Sequence, residues 1–197
     1  MLVNRLEKAL MNNPIRAVVQ RYCEARILRD LGGAMAGGRA LEIGCGRGVG
    51  VSIILDSFGA EYVDAFDLDP SMVEIARRRH SHDSTRVRLW VGDAVEIEAA
   101  DDTYDAVFDF GIVHHVPQWL SVLDEVHRVL KPGGRFYSEE VLKAFILNPV
   151  VRRVLDHPLA DRFSHEEFLA ALRGAGFSLV GERKLGNLFG WYVGEKG

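Results

Sequence analysis

The sequence predicts an α/β protein with a doubly wound, seven-stranded sheet that is mostly parallel and ends in an antiparallel carboxyl-terminal hairpin. From residue 39 onward, short apolar segments alternate with helical segments, as expected for parallel strands joined by helical crossovers. The first apolar segment leads into a glycine-rich turn that opens a helix, an arrangement typical of sheets that bind ligands at their carboxyl edge. Near the end of the chain, two strand-like segments separated by Gly186-Asn187 predict the hairpin.

The amino-terminal segment is predicted to be helical from residue 2 to residue 31. Apolar residues recur at helical spacing on both sides of Asn13-Pro14. Pro14 opens a second helix, because proline is favoured in the first turn. The glycine-rich stretch 32–38 ends this helix and forms a short connector to the first strand.

Strands and helices then alternate with clear boundary signals. The predicted strands are Arg39–Ile43, Tyr62–Phe66, Val87–Val91, Asp105–Asp109 and Arg135–Val141, and the hairpin strands are Phe177–Lys184 and Leu188–Val193. The predicted helices are Gly48–Phe58, Asp69 to about His80, Pro117–Leu130, which Lys131-Pro132-Gly133-Gly134 is expected to stop, and Ser164 to Ala175. Asp69 before Pro70 predicts an N-cap, and Ser164 with Glu167 predicts a capping box.

Size and composition predict one globular domain. The chain has 197 residues, of which 48% are hydrophobic and 26% charged, close to the globular average. No apolar run approaches the ~20 residues that cross a bilayer, and charges interrupt the apolar residues at the amino terminus, so neither membrane insertion nor a secretory signal is expected. The net charge of -4 gives no general attraction to nucleic acid. Cys23 and Cys45 lie in unrelated contexts, which predicts a reducing, cytoplasmic location.

A cluster of glycines after the first strand carries the strongest functional signal. Four of the 20 glycines fall between residues 44 and 50, preceded by Glu42. Glycines let the backbone pass close to a ligand, and the start of the following helix offers free N–H groups. A plain tight turn is the alternative explanation. The dinucleotide pattern G-x-G-x-x-G is not met, because Val49 occupies its sixth position counted from Gly44.

An acid followed by glycines at alternate positions resembles motif I of the class I S-adenosylmethionine-dependent methyltransferases, whose sheet is Rossmann-like. Further features occur in the order that this family shows. Asp67 ends the second strand, and Gly92-Asp93-Ala94 follows the third. Asp105–Asp109 with His114-His115-Val116 resembles the fourth strand and its loop, and Leu130–Gly134 resembles the turn before strand five. The resemblance covers residues 38 to 141 and extends to the closing helix and hairpin.

The resemblance implies S-adenosylmethionine as the cofactor. By analogy with the family, Glu42 orients its amino-acid end, and Phe110 and His115 face the methionyl end and the substrate. The turn beneath the methionine and ribose is formed by Gly44, Cys45, Gly46 and Gly48. The resemblance further implies that Asp67 binds the ribose hydroxyls, that Leu68 and Met72 flank the adenine, and that Asp93 and Ala94 contact the adenine ring.

Methyl transfer from a sulfonium depends mainly on positioning the acceptor, so a nucleophilic side chain is not required. A base is needed only where the acceptor must lose a proton. His115 is the candidate catalytic residue, with Tyr137, Glu139 and Glu140 as further candidates. His114 is adjacent to His115, so their side chains are expected to diverge. A loop histidine bonded to backbone is the alternative reading of His115.

No metal site is predicted, because His80 and His82 stand at a helix end without an accompanying ligand cluster.

Within the single domain, residues 1–37 are expected to form amino-terminal helices and 38–141 the cofactor-binding core. Residues 142–163 are a candidate lid, with a packing helix as the alternative, and 164–197 form the closing helix and hairpin.

These features together predict a methyltransferase that acts on a small-molecule acceptor by in-line displacement. A non-catalytic cofactor-binding module or partner subunit is the first alternative, and an NAD(P)-dependent oxidoreductase is the second. No nucleic-acid partner is expected, because the chain has neither a basic stripe nor an appended binding domain. The identity of the acceptor atom and the oligomeric state are not readable from the sequence.

Overall fold

A computed structural model describes residues 14–147 and 162–197 of the chain. The predicted helical residues before Pro14 and most of the candidate lid lie outside these described residues.

The strands form one seven-stranded sheet in the order β3-β2-β1-β4-β5-β7-β6. Their bounds are β1 (Arg39–Ile43), β2 (Tyr62–Asp67), β3 (Val87–Val91), β4 (Tyr104–Phe110), β5 (Leu130–Val141), β6 (Phe177–Leu185) and β7 (Phe189–Lys196). β1 to β5 pair in parallel, and β7 runs antiparallel to both β5 and β6. The predicted fold class is confirmed. The order reverses between β1 and β4, and ligands bind at such a switch point in doubly wound sheets.

Helices cover both faces of the sheet. They are α1 (Pro14–Val19), α2 (Ala25–Gly32), α3 (Val49–Ile53), α4 (Pro70–Arg79), α5 (Trp119–Val129), α6 (Lys143–Ile146) and α7 (His165–Gly174). A π-helical turn, Gln20–Glu24, joins α1 to α2, and a second one, Ile54–Phe58, extends α3. α5 and α7 bury apolar residues on one face of the sheet. On the other face, α2 buries Leu28, α3 buries Val51 and the π-helical turn after α3 buries Phe58.

β5 is longer than the sequence predicts. It begins at Leu130 instead of Arg135 and directly follows α5. Leu130 pairs with Tyr104, and the register then shifts before Ala106 pairs with Arg135. This irregularity absorbs the turn-forming residues 131–134, since a bulge adds residues to one strand without ending the pairing.

Both predicted helix caps are present. The Asp69 carboxylate accepts a hydrogen bond of 2.9 Å from the Ser71 N–H at the start of α4. Ser164 and Glu167 form the reciprocal capping box of α7. None of the helices described over residues 14–147 and 162–197 is long and apolar enough to span a membrane.

Candidate functional site

A cleft of about 310 Å³ opens at the carboxyl ends of β1 and β4, beneath α1. Its floor contains the glycine turn and Phe110, and its opposite wall comes from the first turns of the helical segment. The lining residues are Arg16, Ala17, Gln20, Glu42, Gly44, Cys45, Gly46, Arg47, Val49, Gly50, Arg79, Phe110 and Ile112. The cleft thus brings together Glu42, Gly44, Cys45, Gly46 and Phe110 of the predicted site residues.

The glycine turn has a backbone that suits glycine. Gly44, Gly46 and Gly48 have φ angles of 70°, 49° and 76°, a region that other residues enter at a cost. Gly48 is the N-cap of α3, so the free N–H groups of the helix start lie beside the cleft. Gly50 is small for a different reason, because a Cβ there would lie 2.6 Å from Glu42 Cδ and 2.8 Å from Phe110 Cδ2.

Glu42 is buried, with a relative exposure of 2%, yet it lines the cleft. The carboxylate accepts a hydrogen bond from the Val51 N–H, whereas its Oε2 atom has no hydrogen-bond partner. Burial raises the pKa of Glu42 well above its ordinary value, and the negative charges of Asp67 and Asp109 raise it further. A buried acceptor without a donor is costly. Glu42 therefore suits a ligand that brings a positively charged donor.

Asp67 lies at the end of β2 and contacts Gly46, which lines the cleft. One carboxylate oxygen accepts a hydrogen bond of 2.8 Å from the Gly46 N–H, and the other accepts one of 2.8 Å from the Asp69 N–H. Asp67 consequently fixes the glycine turn to the second strand.

The remaining predicted contacts lie outside the cleft. Leu68 is 43% exposed, and Met72 is half-buried at the start of α4. Asp93 is exposed and accepts a hydrogen bond from the Val95 N–H at 3.1 Å, whereas Ala94 is buried in the core. The carbonyl oxygen of Gly48 accepts a hydrogen bond of 2.8 Å from His80 Nε2.

His114 and His115 lie in a single 3-10 turn, Val113–His115, that follows β4. The expectation that their side chains diverge is wrong, because the tight turn places the two ring centroids 4.1 Å apart. His115 is half-buried and does not line the cleft. His114 is buried, and its Nδ1 lies 2.6 Å from Glu140 Oε2.

Two buried carboxylates hold the loop after β4. Asp109 accepts hydrogen bonds from the N–H groups of Gly111 and Ile112, and Glu140 accepts them from Val113 and His114. Burial raises the pKa of Glu140 to about 7. Burial and the neighbouring charge of Glu140 raise the pKa of Asp109 as well. Glu140, one of the candidate bases, therefore uses its carboxylate oxygens to hold the backbone of the loop.

Several residues that line the cleft were not among the predicted site residues. Gly50 had a usable signal, since it continues the alternate glycines. Arg16 had none, because no local pattern shows which residue of α1 faces the cleft. Its guanidinium lines the cleft and bridges Glu24 and Glu139, with 3.0 Å between Arg16 Nη2 and Glu139 Oε1. Arg79, at the carboxyl end of α4, also lines the cleft.

Cysteine and histidine chemistry finds little support. Burial raises the pKa of the Cys45 thiol, which keeps it protonated. His80 packs against the glycine turn. Across the parts of the chain that the structure describes, no three His, Cys, Asp or Glu side chains form a group that could hold a metal ion.

Comparison with known proteins gives the family. A family model of a methyltransferase domain matches residues 40–134. The chain is 34% identical over 179 residues to the ubiquinone biosynthesis O-methyltransferase of Xanthomonas oryzae pv. oryzae, covering 85% of this chain and 70% of that relative. The chain belongs to the class I S-adenosylmethionine-dependent methyltransferases.

Other relatives of the chain are considerably longer. The fatty-acid O-methyltransferase of Mycolicibacterium smegmatis is 32% identical over 123 residues, which is 62% of this chain and 44% of that protein. The chain spans about half or less of the length of the first curated relatives it matches. Among solved structures, a chain from the complex of the Haloferax volcanii Trm112 methyltransferase activator with a methyltransferase superposes with a TM-score of 0.80 at 19% identity, covering 99% of both chains. That similarity supports the fold.

The family's cofactor, S-adenosylmethionine, fits the cleft. Its amino acid carries an ammonium group, and Glu42 Oε2 is a buried acceptor without a partner in the same cleft. A charged donor is the partner that such a carboxylate binds most strongly. The left-handed glycines and the start of α3 leave the backbone open to the rest of the ligand.

Glu42→Gln is expected to weaken binding of S-adenosylhomocysteine by about 10- to 100-fold, because a neutral amide replaces the carboxylate that binds the ammonium group. In the wild type, acid protonates Glu42, so affinity should fall as the pH drops through the raised pKa, well above the ~4.3 of an ordinary glutamate. The variant should show no such fall. Calorimetric titration between pH 5 and 8 measures both; equal pH profiles for the two proteins would contradict the assignment.

Proposed function

We propose that this chain transfers a methyl group from S-adenosylmethionine to a small-molecule acceptor by in-line displacement. The observation that carries the proposal is the unpartnered, buried Glu42 Oε2 in a cleft floored by left-handed glycines. When bound, the cofactor supplies a methyl group activated by a positively charged sulfur. The chain's own contribution is to bind and orient the reactants and to exclude water. Positioning of the reactants alone can lower the barrier by about 7–11 kcal/mol.

The proposed cofactor contacts extend from Glu42 toward the ends of β2 and β3. Glu42 binds the ammonium group, and Phe110 and His115 face the methionyl end. The turn below the ligand consists of Gly44, Cys45, Gly46 and Gly48. Asp67 binds the ribose hydroxyls, while the adenine lies between Leu68 and Met72 and its ring contacts Asp93 and Ala94. Asp67 already accepts from the Gly46 N–H, so the ribose and the glycine turn share one carboxylate in this arrangement.

The acceptor is proposed to be a small molecule, and the chain to act in the cytoplasm. Relatives named for ubiquinone biosynthesis and for fatty acids support this class of acceptor. The described residues add no separate surface domain that could hold a macromolecule, since they form one sheet with its helices.

The direct test has two stages. Calorimetry with S-adenosylmethionine and S-adenosylhomocysteine should give binding in the micromolar range, and no binding at millimolar ligand by folded protein would reject the proposal. A metabolite library is then screened for release of S-adenosylhomocysteine. Cofactor binding without turnover on any acceptor would favour a non-catalytic module instead.

Asp67→Ala is expected to weaken cofactor binding at least 30-fold (~2 kcal/mol), because charge-assisted bonds to the ribose and the anchor of the Gly46 N–H are lost together. Asp67→Asn is the matched control: it keeps the size and one acceptor oxygen and should lose less. Fluorescence-monitored unfolding checks that both variants are folded. Affinity of Asp67→Ala within threefold of the wild type would remove Asp67 from the site.

A further inference from the structure

Two further buried polar atoms without hydrogen-bond partners lie on neighbouring strands next to the cleft. Glu139 on β5 is directly opposite Trp191 on the antiparallel strand β7. Glu139 is 4% exposed and Trp191 is 8% exposed. Glu139 Oε2 and Trp191 Nε1 both lack a hydrogen-bond partner. Directly opposed residues point to the same face of a sheet, with Cβ atoms about 5 Å apart, so an unused acceptor and an unused donor lie on the same face of neighbouring strands.

The register places this pair beside the cleft and on the same face as Glu42. Glu42 is paired with Phe108 on β4, and Phe110, two residues further along the same strand, is paired with Glu139. Phe110 lines the cleft and thus separates the two carboxylates. Arg16 also lines the cleft and donates to Glu139 Oε1, leaving Oε2 for another donor.

The surroundings of the pair are aromatic. Phe189 lies two residues from Trp191 on β7 and therefore on the same face, and its ring centroid is 5.1 Å from that of Phe145. The side chains next to the pair are thus apolar rings, whereas the unpaired polar atoms of the pair itself are one donor and one acceptor.

A hydroxyl group matches this pair. It donates one hydrogen bond and accepts others, so one oxygen can donate to Glu139 Oε2 and accept from Trp191 Nε1–H. We propose that Glu139 and Trp191 form the acceptor subsite, that it takes a hydroxyl on an apolar or aromatic body, and that Glu139 is the base. This inference rests on the proposed methyl transfer and deepens it to O-methylation.

The proposed step is balanced within the reactants. The acceptor oxygen forms a bond to the methyl carbon while the methyl–sulfur bond breaks, and its electron pair stays on sulfur, which becomes neutral. The hydroxyl proton passes to the Glu139 carboxylate. Trp191 Nε1–H holds the oxygen in place and remains protonated throughout. His115, the candidate from the sequence, has no part in this step.

Burial and the neighbouring charges make the Glu139 carboxylate a stronger base than an ordinary glutamate. Burial raises its pKa well above the ordinary value, the carboxylate of Glu24 raises it further, and Arg16 opposes this rise. The charge of Asp109 acts in the same direction as that of Glu24. A base works best when its pKa is near the working pH. Because the carboxylate form is required, the rate should fall as the pH drops through this raised pKa.

Indole N–H resonances test the subsite without a known substrate. Protein labelled with ¹⁵N at tryptophan is saturated with S-adenosylhomocysteine and titrated with phenol or 1-octanol, and in parallel with their methyl ethers anisole and 1-methoxyoctane. Trp191→Phe identifies the Trp191 signal. Trp90, whose Nε1 is also buried without a partner but lies on β3 at the far edge of the sheet, is the internal control.

At least one alcohol should shift the Trp191 signal saturably and bind at least tenfold more tightly than its ether, while Trp90 is unchanged. The ether oxygen can still accept from Trp191 Nε1–H but has no proton to donate to Glu139 Oε2. Failure of both alcohols to shift it, or equal affinity of an alcohol and its ether, would overturn the subsite. Glu139→Gln should then lower kcat about 100-fold or more on a hydroxyl acceptor, with little change in S-adenosylhomocysteine affinity, and should lose the acidic limb of the pH profile.

An unchanged kcat and pH profile in Glu139→Gln would remove the base while leaving methyl transfer itself intact. A wild type that binds no cofactor would instead reject the proposed function, so the two failures are distinguishable.

Discussion

Gly50→Ala is expected to lower the affinity for S-adenosylhomocysteine by about 100-fold, close to the value of one hydrogen bond to a charged group. The added Cβ would overlap the Glu42 carboxylate and approach Phe110 Cδ2 to 2.8 Å. Glu42 would have to leave its position and its hydrogen bond with the Val51 N–H. Gly50 has no positive φ, so the loss comes from space and not from backbone strain.

Gly37→Ala is the matched control, because Gly37 has a φ of 87° and a Cβ there meets nothing within 4 Å. It should cost some stability through backbone strain and leave the affinity unchanged. Combining Gly50→Ala with Glu42→Gln tests the cause: if Gly50→Ala acts by displacing Glu42, the double variant should bind about as weakly as the weaker single variant. Additive losses would show that Gly50 acts on the ligand directly.

Glu140→Leu is expected to reduce the free energy of unfolding by about 3–5 kcal/mol, the usual loss when one partner of a buried charged pair is removed. It removes the acceptor of the Val113 and His114 N–H groups and the carboxylate that His114 Nδ1 contacts. Urea unfolding followed by circular dichroism measures the loss. A loss below about 1 kcal/mol would show that the loop after β4 does not depend on this carboxylate.

Glu140→Gln separates charge from shape, because glutamine keeps one acceptor and one donor group. The pKa of Glu140 in the folded protein is about 7, above the ~4.3 of an unfolded glutamate. The folded state therefore binds more protons between these values, and its stability falls as the pH rises from about 4.3 through 7. Glu140→Gln should flatten this fall. An identical slope in both proteins between pH 5 and 8 would contradict the raised pKa.

The sequence predicts the elements well where short-range chemistry decides them. Asp69 before Pro70 and Ser164 with Glu167 form the expected caps, since each cap involves residues only two or three positions apart. It fails for the start of β5. There the pairing of Leu130 with Tyr104, distant along the chain, overrides the turn signals of residues 131–134.

The candidate site divides in the same way. The sequence alone determined the glycine turn, because an acid and alternate glycines occupy one short segment, and it placed Asp67 at the end of the neighbouring strand. Only the tertiary structure decided that Arg16 covers this turn, that Glu140 holds the loop after β4, and that Glu139 faces Trp191. These contacts join elements far apart in the chain, and their geometry is set by sheet order, register and burial, which leave no local pattern in the sequence.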